Sequence, residues 1–201
     1  MKYIIGIDEV GRGPIAGPVA VGAFVIVDKK VRRLFAGVKE SKQLTEIERE
    51  RWFGIIEKAK KQGLVNYRVT FQSEGIIDTK GLSFAIRTAL KKSLGSLKEY
   101  LKVDYRDLTV LLDGGLRAPS EYLDQKTIIK GDEKETIIAL ASICAKVLRD
   151  RRMIKLGHKY PQYGFGVHKG YGTKKHYEAI REYGLLKEHR RSFVTKCKTY
   201  N

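Results

Sequence analysis

At 201 residues the chain has room for one domain with a small appendage, and a hydrophobic content of 42% excludes wholesale disorder. Its 40 Lys and Arg against 23 Asp and Glu leave a formal charge of +17, which disfavours a basic partner and favours a polyanion such as nucleic acid. The alternative is a solvated basic surface that only aids solubility. Cys144 and Cys197 form no CxxC pair, and the first apolar run is too short and too acidic for a signal peptide or membrane span. We therefore expect a soluble, cytoplasmic protein with reduced thiols.

The first half of the chain contains three predicted strands and two predicted helices. Short apolar or β-branched runs predict strands over 3–7, 19–27 and 65–71. Thr45, with Glu48 three residues later, predicts a capping box that opens a helix ending at Gly63. Trp52 lies on the apolar face of that helix, so we expect it in the core rather than under a nucleic-acid base. Apolar positions at helical spacing predict a longer helix over 80–98.

The second half contains two more predicted strands and two more helices. They are the strands 108–112 and 127–130 and the helices 134–156 and 173–184. Between the helices, residues 160–172 form a predicted loop rich in Gly and Tyr, and we expect its Tyr160, Tyr163 and Phe165 to pack against the sheet. A chain that begins with strands and continues with alternating helices favours an α/β layer fold with a mixed sheet.

Acidic residues follow three of the predicted strands: Asp8 and Glu9 the first, Asp113 the fourth and Asp132 the fifth. Parallel strands bring their carboxyl ends to one edge, and buried carboxylates are costly without a positive partner, so the four acids predict a site for hard divalent cations. For Asp8 and Glu9 to share one site the strand must end there, because neighbouring strand side chains point to opposite faces. The alternatives are solvated acids at Asp8 and Glu9, a hairpin turn at Asp113-Gly114 and a helix N-cap at Asp132.

Carboxylates beside a basic surface indicate phosphodiester hydrolysis. Two metal ions about 3.5–4 Å apart can activate water and stabilise the leaving oxygen of a phosphodiester, and no HExxH, Walker A or Ser-His-Asp pattern competes for the role. The glycines of Gly11-Arg12-Gly13 would let the backbone approach a ribose hydroxyl, the group that separates RNA from DNA. The alternative for this segment is a plain tight turn with a surface arginine.

The C-terminal part of the chain is its most basic part. Residues 146–201 carry 15 Lys and Arg against four acids, together with all four histidines, so we expect this part to lie along a phosphate backbone. His168 and His176 fit phosphate contacts or surface positions better than catalytic roles. Asp150 could be a metal ligand, but an ion pair with Lys146, one helical turn earlier, is the simpler interpretation.

Six segments, in order along the chain, resemble motifs of the ribonuclease HII family. The first, GIDEVGRGPIAGPV at 6–19, resembles the opening signature of the bacterial and archaeal members. The others are ESKQL at 40–44, LDG at 112–114, KGD at 130–132, ASICAKV at 141–147, and YGF with HKGYGT at 163–173. These segments cover nearly the whole chain, and together they are very specific. Glu40 for aspartate, Gly115 for a larger residue and Cys144 for leucine are departures that touch no expected metal ligand.

The resemblance implies an α/β ribonuclease H-like fold, a five-stranded mixed sheet flanked by helices over 1–157, with a basic loop and small helical extension over 158–201. It implies that the catalytic residues are Asp8, Glu9, Asp113 and Asp132, which would bind two Mg²⁺ or Mn²⁺ ions. Residues 11–13 would recognise the ribose hydroxyl and Tyr171 would stack on the sugar of the following nucleotide. The full set of implied substrate contacts is Gly11, Arg12, Gly13, Ser41, Lys42, Lys146, Lys169 and Tyr171, the serine and lysines meeting phosphates.

The same resemblance implies the substrate and the products. We expect cleavage of the RNA strand of RNA·DNA hybrids and of DNA duplexes containing ribonucleotides, on the 5′ side of a ribonucleotide, leaving 3′-hydroxyl and 5′-phosphate ends. We expect a monomer without membrane contact, and the residues do not decide whether a replication clamp binds. The related HIII branch carries an extra N-terminal domain, for which we expect no room before Gly6. A non-catalytic nucleic-acid binding module and a junction-cutting recombination nuclease are the alternatives, and the intact acids speak against both.

Overall fold

The computed structural model describes residues 2–38 and 43–194. Five strands are present in these residues: β1 (Tyr3–Val10), β2 (Val19–Ile26), β3 (Val65–Gln72), β4 (Leu108–Asp113) and β5 (Gln125–Ile128). The α-helices are α1 (Glu46–Lys61), α2 (Glu74–Lys80), α3 (Leu82–Leu101), α4 (Gly131–Lys134), α5 (Thr136–Lys159), α6 (Phe165–His168), α7 (Lys174–Tyr183) and α8 (Arg191–Val194). Short 3₁₀ helices cover Lys29–Phe35, Tyr105–Asp107 and Pro161–Tyr163. No helix of the described residues combines the length and apolar content that crossing a membrane requires.

The strands form one sheet in the order β3-β2-β1-β4-β5. The strand β2 is antiparallel to both β1 and β3, whereas β1, β4 and β5 run parallel. The expected five-stranded mixed sheet is therefore confirmed. Because β4 and β5 are parallel, the alternative of a hairpin turn at Asp113-Gly114 is wrong.

Helices cover both faces of the sheet. On one face, α3 packs its apolar stripe on the odd-numbered side chains of β1, including Ile5 and Ile7. On the other face, α5 approaches so closely that a Cβ at Gly6 would lie 2.3 Å from the carbonyl oxygen of Ile137. A Cβ at Gly22 of β2 would likewise lie 2.4 Å from the carbonyl oxygen of Ala141. The two glycines thus let α5 lie directly on the backbone of the central strands.

Three element boundaries differ from the sequence prediction. The helix expected over 80–98 is two helices, α2 and α3, divided at Gly81, whose φ of 84° no helix allows. The helix expected over 134–156 is likewise preceded by the separate turn α4, because Glu135 is extended. The expected loop over 160–172 contains a 3₁₀ helix and α6. Sequence periodicity detects the apolar stripe of a helix. The stripe continues where one helix ends and the next begins, so periodicity does not reveal that boundary.

The C-terminal extension packs on α5 rather than on the sheet. Tyr163 and Phe165 are buried in a cluster with Ala16, Met153 and Ala179, so the expectation that they pack against the sheet is wrong. The proposed boundary at residue 157 falls inside α5, two residues before its last residue. The division into two domains stays a prediction.

Candidate active site

Asp8 and Asp113 lie next to each other where β1 and β4 separate. The last parallel pair joins Ile7 to Leu112, and each acid is the next residue of its strand. The strand β1 itself continues beside β2 to Val10, so the expectation that it ends at Asp8 is wrong. What ends at Asp8 is the pairing with β4, and this opens the sheet on the side where Asp113 stands.

The carboxylate of Asp8 is the electrostatic centre of this edge. Its residue is only 5% exposed, and burial raises its pKa well above the ordinary value, while a hydrogen bond from Ser142 of α5 opposes the rise. The charges of Glu9, Asp113 and Asp132 raise the pKa further. All four predicted acids are therefore close enough for their charges to interact.

Glu9 has one satisfied oxygen and one unsatisfied oxygen. Its Oε1 accepts a hydrogen bond from Arg12 at 2.7 Å, while its Oε2 is buried with no hydrogen-bond partner. Burial raises the pKa of Glu9, and the neighbouring guanidinium of Arg12 opposes that rise. A buried carboxylate oxygen without a donor is costly, which is the condition that a bound cation relieves.

The two remaining acids are joined through the start of α4. Asp113 accepts a 2.6 Å hydrogen bond from the backbone N–H of Gly131, where a Cβ would meet the side chain of Ile138 at 2.7 Å. Asp132 is 4% exposed and lies inside the first turn of α4, whose N-cap is Lys130. The alternative that Asp132 is an N-cap is therefore wrong.

The donor set suits a hard divalent cation. It consists of carboxylate oxygens, the ligands that Mg²⁺ and Mn²⁺ prefer, and it includes the orphaned oxygen of Glu9. Within residues 2–38 and 43–194, however, no three carboxylate, imidazole or thiol side chains converge closely enough to hold an ion in this conformation. Like charges repel one another, and Arg12 and Gly131 each hold one carboxylate oxygen, so the four acids share an edge without meeting at a point.

The segment Gly11-Arg12-Gly13 lies directly beside this edge. Gly11 is buried with a φ of 89°, whereas Arg12 and Gly13 are exposed. A Cβ at Gly13 would lie 3.7 Å from the ring of Tyr171, which is 46% exposed. Two segments that are far apart in sequence therefore form one continuous surface next to Glu9.

The predicted phosphate contacts are divided between two places. Lys146 lies one turn beyond Ser142 on α5 and forms a 2.9 Å ion pair with Asp150, which confirms that pairing. Lys169 lies beside Tyr171 and donates from Nζ to the carbonyl oxygen of Gly166 at 2.5 Å. Ser41 and Lys42 lie outside the described residues.

Two of the four histidines are buried, and one of them is His176, which the sequence placed in a phosphate contact or at the surface. His176 and His189 are 0% and 1% exposed, and His168 stacks on His176 with ring centroids 4.2 Å apart. Burial lowers the pKa of His176 to about 4, so the ring is neutral at pH 7. The prediction of phosphate or solvent contact is wrong for His176, because this histidine packs into the base of the extension.

The hydrogen bonds of this cluster assign its tautomers. His189 Nδ1 accepts from the N–H of Leu186 at 2.9 Å, so the proton of His189 is on Nε2. That Nε2–H donates to His176 Nε2 at 3.1 Å, and His176 Nδ1–H then donates to the carbonyl oxygen of Tyr171 at 2.8 Å. The relay of neutral rings holds the backbone of Tyr171.

Sequence reasoning missed three residues of the site: Ser142, Arg149 and Arg190. Ser142 donates to Asp8, and its position four residues before Lys146 was the available signal. Arg149 and Arg190 are 0% exposed and bond to the segment that contains Gly11. No sequence signal marks them, because arginines in a basic stretch are normally on the surface.

The sheet order and the acids at the edge between β1 and β4 define a protein of the ribonuclease H-like fold. Solved structures agree: the ribonuclease H2 of Pyrococcus horikoshii OT3 is 28% identical with a TM-score of 0.71, covering 98% of this chain and 96% of that one. Bst ribonuclease HIII in complex with Mn²⁺ shares the fold at 23% identity and a TM-score of 0.76, covering 98% and 68%.

Sequence comparison narrows this class to one family. The family model described as Ribonuclease HII matches residues 5–196. The ribonuclease HII of Bacillus cereus (strain AH820) is 43% identical over 197 residues, 96% of this chain and 70% of that protein. The chain belongs to the ribonuclease HII family, a family of hydrolases.

Proposed function

We propose that this protein hydrolyses the RNA strand of RNA·DNA hybrids and cuts DNA duplexes on the 5′ side of embedded ribonucleotides. The observation that carries the proposal is the buried carboxylate edge around Asp8, three residues before the Gly11–Gly13 segment. The carboxylates suit phosphodiester hydrolysis, and the Gly11–Gly13 segment suits contact with a ribose. Because the two are adjacent, both would act on the same nucleotide. The products would be 3′-hydroxyl and 5′-phosphate ends.

The residues that would hold metal are Asp8, Glu9, Asp113 and Asp132, and the ions would be two Mg²⁺ or Mn²⁺. When bound, such ions activate a water molecule and stabilise the leaving oxygen. The buried, unpartnered Oε2 of Glu9 and the mutual repulsion around Asp8 support this assignment. The Mn²⁺ complex of the structurally similar Bst ribonuclease HIII is consistent with it.

The other residues would bind and orient the nucleic acid. The exposed backbone of residues 11–13 would bond the ribose hydroxyl, and Arg12 would keep Glu9 in place through its 2.7 Å ion pair. The ring of Tyr171, adjacent to Gly13, would stack on the next sugar. Lys146 and Lys169 would contact phosphates of the substrate. Ser41 and Lys42, which lie outside the described residues, would do the same by the family resemblance. The substrate implies a cytoplasmic protein, and we expect it to act as a monomer.

The decisive experiment compares three duplexes: an RNA·DNA hybrid, a DNA duplex with one ribonucleotide, and the same duplex without it. We expect the first two to be cut with Mn²⁺ or Mg²⁺, none to be cut with chelator, and each product to carry a 3′-hydroxyl. Asp8→Asn should abolish cleavage, whereas Asp107→Asn, a change far from the acidic edge, should not. Salt-sensitive binding without metal-dependent cleavage would instead identify a binding module.

A further inference from the structure

Two fully buried arginines lie beneath the segment that follows β1. Arg190 donates from Nη2 to the carbonyl oxygen of Gly11 at 2.7 Å, from Nη1 to that of Arg12 at 3.0 Å and from Nε to that of Gly17 at 2.8 Å. Arg149 donates from Nε to the carbonyl oxygen of Pro18 at 2.9 Å. A Cβ at Gly11 would lie 2.2 Å from that Nε, so the guanidinium is in direct contact with the backbone.

These guanidiniums are buried against carbonyl groups instead of carboxylates. Among the described residues, neither Arg149 nor Arg190 has a carboxylate oxygen within 4.0 Å of its nitrogens. Burial, with the charge of Arg149 adding to it, lowers the pKa of Arg190 to about 10. Two like charges buried without a carboxylate partner are costly to desolvate, so stability alone does not account for them.

The geometry of the peptide group gives these bonds a second consequence. No peptide bond of the described chain is cis, so each C=O points opposite to the N–H of the same peptide unit. Since the carbonyls of Gly11 and Arg12 point inward to Arg190, the N–H groups of Arg12 and Gly13 point outward. Neither N–H has a backbone acceptor among the described residues, and both residues are exposed.

We propose that Arg190 is a positioning residue for ribose recognition, which fixes two peptide units so that the N–H groups of Arg12 and Gly13 face the substrate. The inference rests on the proposed function and adds a determinant of specificity to it. The three-pronged fork of one arginine holds Gly11, Arg12 and Gly17 at once, which an ammonium cannot do in the same geometry. Arg149 holds the same segment through the carbonyl oxygen of Pro18.

The flexibility of the glycines in this segment explains why the hydrogen bonds from Arg190 are needed. Peptide units flanked by glycines rotate readily, because Gly11 and Gly13 have wide access to φ and ψ. Without Arg190, the two N–H groups would sample orientations that do not face a ribose. The loss would therefore fall on the reaction and on the discrimination of RNA from DNA, while the phosphate contacts that dominate duplex affinity remain.

The segment carrying Arg190 is itself held against the residues that it positions. The N–H of Arg190 donates to the carbonyl oxygen of Ile15 at 2.8 Å. Asp78 of α2 accepts from the N–H of Arg191 at 2.9 Å, and from the N–H and hydroxyl of Ser192 at 3.0 and 2.6 Å. This exposed anchor offers a second way to disturb the clamp without changing the buried guanidinium.

The test measures how well the Arg190→Lys variant discriminates a ribonucleotide from a deoxyribonucleotide. This variant keeps the positive charge and loses the planar guanidinium that makes three hydrogen bonds. Two duplexes that differ only in one 2′-hydroxyl are bound in EDTA, so that neither is cut, and the ribonucleotide duplex is then cleaved with Mn²⁺. We expect kcat to fall roughly tenfold or more, since about two hydrogen bonds to the segment are lost. The ratio of the two Kd values should move toward one, with the affinity for the all-DNA duplex within about twofold of wild type.

The matched control is Arg87→Lys, an exposed arginine of α3, which should leave kcat and the Kd ratio unchanged. An Arg190→Lys protein that keeps the wild-type Kd ratio overturns the inference, as does an equal loss of affinity for both duplexes. Wild-type protein that fails to cut the ribonucleotide duplex would refute the proposed function instead.

A second variant covers the case in which Arg190→Lys does not fold, as judged by circular dichroism and melting. Asp78→Asn weakens the anchor at Arg191 and Ser192 and should shift the Kd ratio in the same direction by a smaller amount. A Kd ratio equal to that of wild type in folded Asp78→Asn, with Arg190→Lys unfolded, also overturns the inference.

Discussion

The described part of the molecule has two buried polar regions. One is the acidic edge around Asp8, and the other, which we call the C-terminal bed, is formed by Arg149, Arg190, His176 and His189. The two differ in how the hydrogen-bonding capacity of their groups is satisfied. In the edge, like charges face one another, an oxygen of Glu9 has no donor, and burial raises the pKa values of Asp8 and Glu9. In the bed, the guanidiniums and imidazoles have acceptors or donors in the backbone. Unsatisfied buried groups mark the place for a ligand, and satisfied ones hold the backbone that meets it.

The largest effect is expected from a substitution within the acidic edge. Asp8→Asn removes a carboxylate at the centre of the acidic cluster, and cleavage should fall by at least ~10³-fold, about 4 kcal/mol of transition-state stabilisation. Binding of the hybrid should stay nearly intact, because it depends on phosphate contacts. Single-turnover cleavage and fluorescence anisotropy measure the two quantities.

The same variant should make the metal-free protein more stable. Removing one of several repelling buried charges is expected to raise the free energy of unfolding by about 1 kcal/mol, or ~2–4 °C in Tm. Calorimetry in EDTA checks this. A lower Tm would mean that the carboxylate is already well satisfied without metal, contrary to the contrast between the two regions.

The next largest effect is expected from a substitution that disturbs the packing of the C-terminal bed. Gly11→Ala places a Cβ within 2.2 Å of Arg149 at a φ of 89°, and we expect a loss of roughly 3–4 kcal/mol in unfolding free energy. Gly37→Ala is a matched control with a φ of 84° and no atom within 4 Å, and should cost only about 1 kcal/mol. Urea denaturation compares the two, and equal losses would show that Arg149 yields easily.

A third effect concerns the pH dependence of the bed. His176 has a folded pKa of about 4 against an unfolded pKa of 6.5, so the unfolded chain binds more protons between these values. Its contribution to stability is complete above pH 6.5 and is lost as the pH falls towards 4, by roughly 3 kcal/mol. Urea denaturation between pH 4 and 7.5 measures the slope. His176→Gln should flatten it, and an unchanged slope would assign the effect to other groups.

The smallest effect is expected at Gly115, and it tests whether this residue belongs to the acidic edge. Gly115 follows Asp113 by two residues, yet it is exposed, has no positive φ and has no atom within 4 Å of a built Cβ. Gly115→Ala should change stability by no more than about 0.5 kcal/mol and leave cleavage as in wild type. A large loss of cleavage would show that the departure at this position affects the site.

The fold and the acids could be predicted from the sequence because they follow local patterns. Apolar runs that stop at Asp8 and Asp113, and an apolar stripe along α5, are visible over short windows. The roles of Arg149 and Arg190 could not, because the carbonyl oxygens that they bond in residues 11–18 are 131 to 179 residues away in sequence. The position of His176 was misjudged for the same reason, since composition suggests solvent where tertiary packing brings this residue against His189.

The close approach of α5 to the sheet at Gly6 and Gly22 has a consequence for how this molecule tolerates change. Main chain rests on main chain there, so the separation of helix and strand is set by the thickness of the polypeptide and not by the size of any side chain. Ser142 and Asp8, carried on opposite sides of that contact, keep their spacing while apolar residues elsewhere are exchanged. Exchanges between apolar residues of similar size in the interior should therefore leave the position of Asp8 relative to Ser142 unchanged.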